Sequence, residues 1–457
     1  MNKSFVLDSC ITACADKKMQ NDTVKKLFKN FCLGCGKLTL ADGPDNTFQV
    51  GSTQLPVLPE GKEYVIHVDE KGIAIVGNSY GGLMRGFLVM LMHIDYRDEG
   101  MSIPCIRLES QYRIANRMIH ICVFPDNPRH FTRKMLRLAG LCQYTHVVLE
   151  FWGMLQFDCM KELCWPMAYS KAEVAGLIKE IREMGMEPIP MFNQLGHATA
   201  CRAAHGKHVV LDQNPTLQHL FTGDGWDWNI RSEQVHQLHK AIRAELYELF
   251  GAGEYFHVGC DEAYNYTYDD TTRKELLPAF LNRLTSEVAA EGRRPMIWMD
   301  MMLERGKYPG ATATCDPDEV ATLQSSLHES TVMVDWQYRI YEAPVQTMLS
   351  LKDSGHDVIG APWHYDTNFT AMADTVAEYG FFGIMMTTWH TMETMMPSIL
   401  GCAKRCGVTT FPWSPISSAK TFHKETAAML RRVSFEGNTY ETAGWIEKDT
   451  AELVVRK

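Results

Sequence analysis

From Asn116 onward the chain carries eight short β-prone runs, most of them followed by a longer stretch with apolar residues at helical spacing. The runs are Arg117 to Val123, His146 to Phe151, Glu187 to Phe192, Tyr255 to Gly259, Pro295 to Met299, Val332 to Trp336, Asp357 to Ala361 and Phe382 to Thr388. Between them lie segments such as Arg129 to Leu141, Lys171 to Met184 and Ser232 to Leu249, whose apolar positions recur every three or four residues. Strands alternating with helices build parallel βαβ units. Eight such units over about 270 residues predict a closed (β/α)8 TIM barrel rather than an open sheet. The first 110 residues differ. Tyr64 to Val68 and Ile73 to Val76 flank Asp69-Glu70-Lys71-Gly72, a hairpin signal, and Ser79 to His93 has helical periodicity. The expected organisation is a small α+β domain over 1–110, the barrel over 111–415 and a C-terminal helical tail over 416–457.

Composition narrows the function class. A net charge of −10 argues against a nucleic-acid partner, whose binding face is usually basic. No run approaches the roughly 18 apolar residues that cross a bilayer, so no membrane partner is expected. Met1 to Lys18 lacks the apolar core of a signal peptide. Fourteen cysteines invite a disulfide framework, but many sit inside apolar runs (Cys122, Cys142, Cys260), where buried thiols are common. Cys32 and Cys35 have C-x-x-C spacing without a second pair at zinc-finger distance. The reading is a cytoplasmic protein with no cofactor and no metal, and a homodimer is the assembly left open.

In a barrel of this kind the chemistry gathers where strands finish. Strand two ends in Glu150-Phe151-Trp152, strand three in Asn193-Gln194-Leu195-Gly196-His197, and strand four in His257-Val258-Gly259-Cys260-Asp261-Glu262. Strands five to eight end in Trp298-Met299-Asp300, Asp335-Trp336, Trp363-His364-Tyr365-Asp366 and Thr388-Trp389-His390. The long segment from Gly196 to Arg231 adds Trp226 and Trp228. Tryptophans beside carboxylates suit a sugar, whose apolar face stacks on indole while its hydroxyls bond Asp, Glu and His. Asp261-Glu262 is the sharpest feature. Adjacent carboxylates repel, so one of the pair should hold a raised pKa and serve as an acid. Neighbouring residues also point different ways, so the two can flank opposite sides of one anomeric carbon, as glycoside cleavage requires. His197, His257, Asp261 and Glu262 are metal-capable types, yet neither H-x-H nor H-E-x-x-H spacing occurs among them.

These residues resemble a known family. His257-Val258-Gly259-Cys260-Asp261-Glu262 is similar to the H-x-G-G/A/C-D-E signature of glycoside hydrolase family 20, the β-N-acetylhexosaminidases. Pro190 to His197 looks like that family's strand-three motif, and Ile297 to Asp300 like its strand-five motif. The Cys260 variant and the Asn193-Gln194 form are closer to an intracellular hexosaminidase D-like branch. The resemblance implies a substrate that is an N-acetylhexosamine-containing glycan or glycoside, with Glu262 as proton donor and Asp261 orienting the 2-acetamido group. It also implies sugar contacts from Arg117, His197, Trp298, Asp300, Trp336, Tyr365, Asp366 and Trp389, with Tyr365 bonding the acetamido carbonyl.

The sequence departs from the pattern at His364, which falls in the usual tyrosine slot if Asp366 is aligned. It departs again at Glu150 to Gly153, and at His390, where many members carry Glu. The competing readings are a non-catalytic sugar-binding barrel and a metal-dependent barrel hydrolase.

Overall fold

The computed structural model describes residues 3–32, 36–97, 100–125, 127–199, 211, 214–267, 270–389, 392–408 and 419–434. Cys35, His390 and the tail beyond 434 lie outside them. Eight parallel strands close into a barrel in chain order. They are Asn116–Val123, His146–Phe151, Glu187–Met191, Tyr255–His257, Arg294–Trp298, Val332–Trp336, Asp357–Ala361 and Gly383–Thr387. Alternate residues of a strand face opposite sides. Met118, Val148, Ile189, Met191, Met296, Val332, Val334, Ile359 and Met385 accordingly fill the interior. Ile119, Ile121, Val147, Leu149 and Ile297 pack outward in the core beneath the helices. Unbranched methionines adapt to irregular gaps, and four of them here close the barrel axis.

One barrel helix begins at a full side-chain cap. Ser170 and Glu173 form a reciprocal capping box at the start of Lys171–Glu183. After strand five the chain makes only a 3-10 turn, Asp300–Met302, and a short helix, Val320–Ser325. Ala419–Arg432 packs on Met392–Arg405 and Arg129–Leu141. No helix among the described residues is long and apolar enough to cross a membrane, and no disulfide links the described cysteines.

Ahead of the barrel lie a six-stranded and a three-stranded sheet. The predicted hairpin pairs Tyr64–Asp69 with Gly72–Gly77, and Asp69 Oδ1 accepts from the backbone of Lys71 and Gly72 to fix the turn. Helix Tyr80–Met92 is apolar nearly all round because it is covered on two sides, by this hairpin and by the barrel helix Arg129–Leu141.

Arg117 belongs to this junction and not to the mouth, which corrects its assignment as a sugar-binding residue. It stands at the start of strand one, the end of the barrel opposite the catalytic loops, and is 1% exposed. Its guanidinium donates to the carbonyls of Gln143, Ile114 and Ala115 and forks onto Glu63 at 3.0 and 3.1 Å. It also lies over the Tyr112 ring at 3.6 Å. Every donor is spoken for. Glu63 also accepts from Arg85, so one carboxylate serves two buried guanidinium groups. Removing one partner of a buried pair strands the other's charge. Glu63→Ala should therefore lower unfolding free energy by about 3–5 kcal/mol in urea titration; a loss under about 1 kcal/mol, the range of exposed pairs, would show this junction is solvated.

Candidate active site

Strand four is short because the chain leaves it at Gly259, whose φ is +71°. A Cβ there would lie 2.5 Å from Asn193 Cγ, so glycine is required both by conformation and by space. Asn193, at the end of strand three, holds the turn that follows. Its Oδ1 accepts from Cys260 N at 3.1 Å, and its Nδ2 donates to Asp261 Oδ1 at 2.6 Å. Cys260 and Glu262 are also left-handed, at φ +73° and +48°, as are His197, His364 and Trp389. Non-glycine residues avoid this region, and their concentration at the loop end of one barrel marks backbone held in place by its contacts.

The expected opposition of Asp261 and Glu262 across a bond is not what the turn produces. His197 Nε2 lies 3.4 Å from Asp261 Oδ2 and 2.9 Å from Glu262 Oε2. The two carboxylates converge on one nitrogen and sit side by side, because the left-handed turn at Glu262 swings it back toward its neighbour. Tyr264 donates to Glu262 Oε1 at 2.5 Å, and Trp226 Nε1 donates to the Glu262 carbonyl at 2.7 Å. Asp300 takes the Glu262 backbone N–H at 2.9 Å on Oδ2 and the Trp336 indole at 3.0 Å on Oδ1.

Of the adjacent pair, Glu262 is not the raised member. Burial acts to raise the Glu262 pKa, but donors from His197 and Tyr264 outweigh it and leave the carboxyl below its usual value. Asp300, which takes the Glu262 backbone N–H, is raised to about 8 by burial and by the charge of Asp261. Cys260 is buried and its thiol is pushed well up, first by burial and then by Asp261 and Asp300. It fills space at the turn.

Trp336 and Trp389 wall the mouth, and the fully buried Trp298 packs beneath them. The Trp298 and Trp389 ring centroids are 5.9 Å apart, and Trp298 packs on His257 at 4.5 Å. The structure thus brings together Asp261, Glu262, His197, Trp298, Asp300, Trp336 and Trp389. It does not bring in Tyr365 or Asp366. Strand seven stops at Ala361, and the left-handed His364 turns the chain outward, so Tyr365 is 51% exposed against Tyr341. Asp366 opens a helix and pairs with Arg405 at 2.5 Å.

Tyr338 enters instead. Its ring lies 5.0 Å from Trp336 and its hydroxyl accepts from Trp389 Nε1 at 2.8 Å. Burial pushes its pKa well up, with Asp261 and Glu262 adding to the effect. A buried pair closes the strand-one and strand-two side, where His120 Nε2 lies 2.9 Å from Glu150 Oε2 and His120 packs on Trp389. The sequence reading missed Tyr338, Tyr264, His120 and the bridging role of Asn193. Period-two alternation, along strand one (Met118, His120) and run past the end of strand six (Val334, Trp336, Tyr338), would have found two of them. No cluster of three or more His, Cys, Asp or Glu placed to hold a metal ion occurs among the described residues.

A profile of the glycosyl hydrolase family 20 catalytic domain matches residues 149–398, more than half the chain and all of the mouth just described except strand one. The chain belongs to glycosyl hydrolase family 20. Solved structures of family 20 share its fold. The chitobiase of Flavobacterium johnsoniae superposes with a TM-score of 0.69 at 14% identity, over 95% of this chain and 70% of that one. An exo-β-N-acetylglucosaminidase of Vibrio harveyi, in complex with N-acetylglucosamine, gives 0.67 at 14% identity, over 94% and 75%. A β-hexosaminidase of Streptomyces plicatus gives 0.64 at 15% identity, over 97% and 93%. No curated protein matches the chain by sequence.

The raised Asp300 carboxyl carries a stability signature. A group whose folded pKa lies above its unfolded value contributes stability that is full below about pH 4 and is lost as pH rises toward about 8. Melting temperature should therefore fall more steeply from pH 5 to pH 8 in the wild type than in Asp300→Asn. Parallel curves would place the charge elsewhere.

Proposed function

We propose that this family 20 chain is an exo-acting, retaining β-N-acetylhexosaminidase of the hexosaminidase D-like branch. It removes terminal β-linked GlcNAc or GalNAc by substrate-assisted catalysis. The observation that carries this reading is the side-by-side placement of Asp261 and Glu262 on His197 Nε2. A retaining glycosidase with a protein nucleophile sets its two carboxylates on opposite sides of the scissile bond, about 5–5.5 Å apart. Here an oxygen of each carboxylate reaches the same His197 nitrogen, which suits a second carboxylate that holds a group on C2 beside the acid.

Glu262 protonates the glycosidic oxygen. Asp261, fixed by Asn193, accepts from the acetamido N–H and turns that group so its carbonyl oxygen attacks C1. The product is an oxazolinium that water opens with Glu262 as base. Tyr338 replaces Tyr365 as the residue bonding the acetamido carbonyl. Its oxygen accepts from Trp389 and it lies against Thr387, which fixes the hydroxyl at the mouth. Trp298, Trp336 and Trp389 enclose the acetamide. The Cys260 form of the strand-four signature supports the branch, and the Vibrio harveyi structure of this fold was obtained with N-acetylglucosamine.

The test is hydrolysis of nitrophenyl β-GlcNAc and β-GalNAc. Glu262→Gln should lower kcat by about 10²–10⁴-fold on substrates with poor leaving groups. A thiazoline that mimics the oxazolinium should inhibit competitively. Hydrolysis that is indifferent to the thiazoline would overturn the substrate-assisted step. Thiazoline binding without any turnover would describe a sugar-binding barrel instead. For Tyr338, replacement by Phe should cost about tenfold or more in kcat/KM with little change in melting temperature; an unchanged kcat/KM removes it from the site.

A further inference from the structure

Glu262 has a donor on each carboxylate oxygen, and only one comes from strand three. His197 Nε2 takes Oε2 at 2.9 Å, and the Tyr264 hydroxyl takes Oε1 at 2.5 Å. Tyr264 is two residues along the same chain and opens the short helix Tyr264–Thr267. A hydroxyl so near in sequence could swing freely, but its ring is fixed. It stacks on Trp226 with centroids 5.7 Å apart and planes 23° apart. Trp226 in turn is held by its indole N–H on the Glu262 carbonyl and by its backbone N–H on Asp224 Oδ1. Asn265, next after Tyr264, donates to Asp224 and Asp227 and ties the two segments again. The hydroxyl is thus aimed by the segment that follows strand three.

We propose that Tyr264 is a positioning residue that clamps the acid carboxyl and sets the pH above which Glu262 no longer carries its proton. The proposal rests on Glu262 being the acid of the reading above. As the Glu262 O–H bond breaks, its proton passes to the leaving oxygen and the C1–O bond electrons go with that oxygen. The carboxylate charge then appears between two donors already in place, which stabilises it without reorganisation. The clamp therefore matters more for a sugar leaving group, which must be protonated, than for nitrophenolate, which leaves readily without a proton.

The charged and titratable groups around Glu262 are Asp261 on its own turn, His197 from strand three, Asp300 from strand five and Tyr338 from strand six. Asp227 lies behind His197. Among the described residues, His197 and Tyr264 are the side-chain donors to the Glu262 carboxylate. Without the hydroxyl, the His197 contact is the remaining one among the described residues to oppose burial and the Asp261 charge, so the carboxyl retains its proton to higher pH.

Tyr264→Phe keeps the ring and its stacking on Trp226 and removes only the hydroxyl. Glu262 is titrated by carbon NMR of protein labelled at the glutamate carboxyl carbon, with Glu262→Gln assigning the signal. The expected result is a midpoint raised by about one pH unit in Tyr264→Phe. The alkaline limb of kcat/KM should move up with it, and kcat/KM on a β-linked N-acetylhexosamine disaccharide should fall about tenfold more than on the nitrophenyl glycoside. An unmoved midpoint overturns the proposal. So does an equal loss on both substrates, which a merely structural tyrosine would give. The titration needs no substrate, so a wild type inactive on every glycoside would count against the hexosaminidase reading while the Tyr264 contact was still judged.

Discussion

The mouth of this barrel depends on one buried amide. Asn193 leaves strand three with its side chain pointing across to strand four, and each end of that amide is used: the oxygen for Cys260 N, the nitrogen for Asp261. A buried donor or acceptor without a partner costs about 1–3 kcal/mol, so neither end can be dropped cheaply. The close approach is possible only because residue 259 has no side chain. From this contact follow the left-handed backbone at Cys260 and Glu262, the convergence of two carboxylates on His197, and the backbone N–H that Glu262 offers to Asp300. The chemistry of the site is set less by which acids are present than by the direction in which one turn points them.

That turn also distributes charge. Three carboxylates stand near one another, and they do not share the burden equally. Asp300 gives up its charge more readily than Glu262, being buried beside Asp261. Two donors facing Glu262 hold its pKa below the usual carboxyl value. The group with the raised pKa is therefore the one that braces the site, and the group with donors is the one exposed to the incoming sugar.

Much of the fold was legible because it is written in periods. Eight apolar runs and the helices between them specify the barrel, and the strand-four ending named its two carboxylates before any geometry was known. What was not legible turned on direction. Arg117 is the right residue type at the wrong end of strand one, and a strand's sequence alone does not say that its second residue is already tied to Glu63 in another sheet. Tyr365 and Asp366 follow strand seven closely, but a single left-handed residue, His364, takes them out of the mouth. Tyr338 lay one alternation beyond the last strand residue, where the apolar pattern ends and attention with it. Adjacent carboxylates were expected to diverge, as they do in regular strands, and the positive φ at Glu262 reversed that.

The joint between the leading sheet and the barrel has an implication for how such a chain can change over evolutionary time. Glu63 precedes a strand of the sheet, yet it neutralises the cation under the first barrel strand, while helix Tyr80–Met92 is covered from both sides. The barrel is therefore not a cassette that recombination can lift away and place behind a different partner. The two parts must be inherited, lost or duplicated together, and divergence in one is constrained by the other even at residues some distance from any sugar.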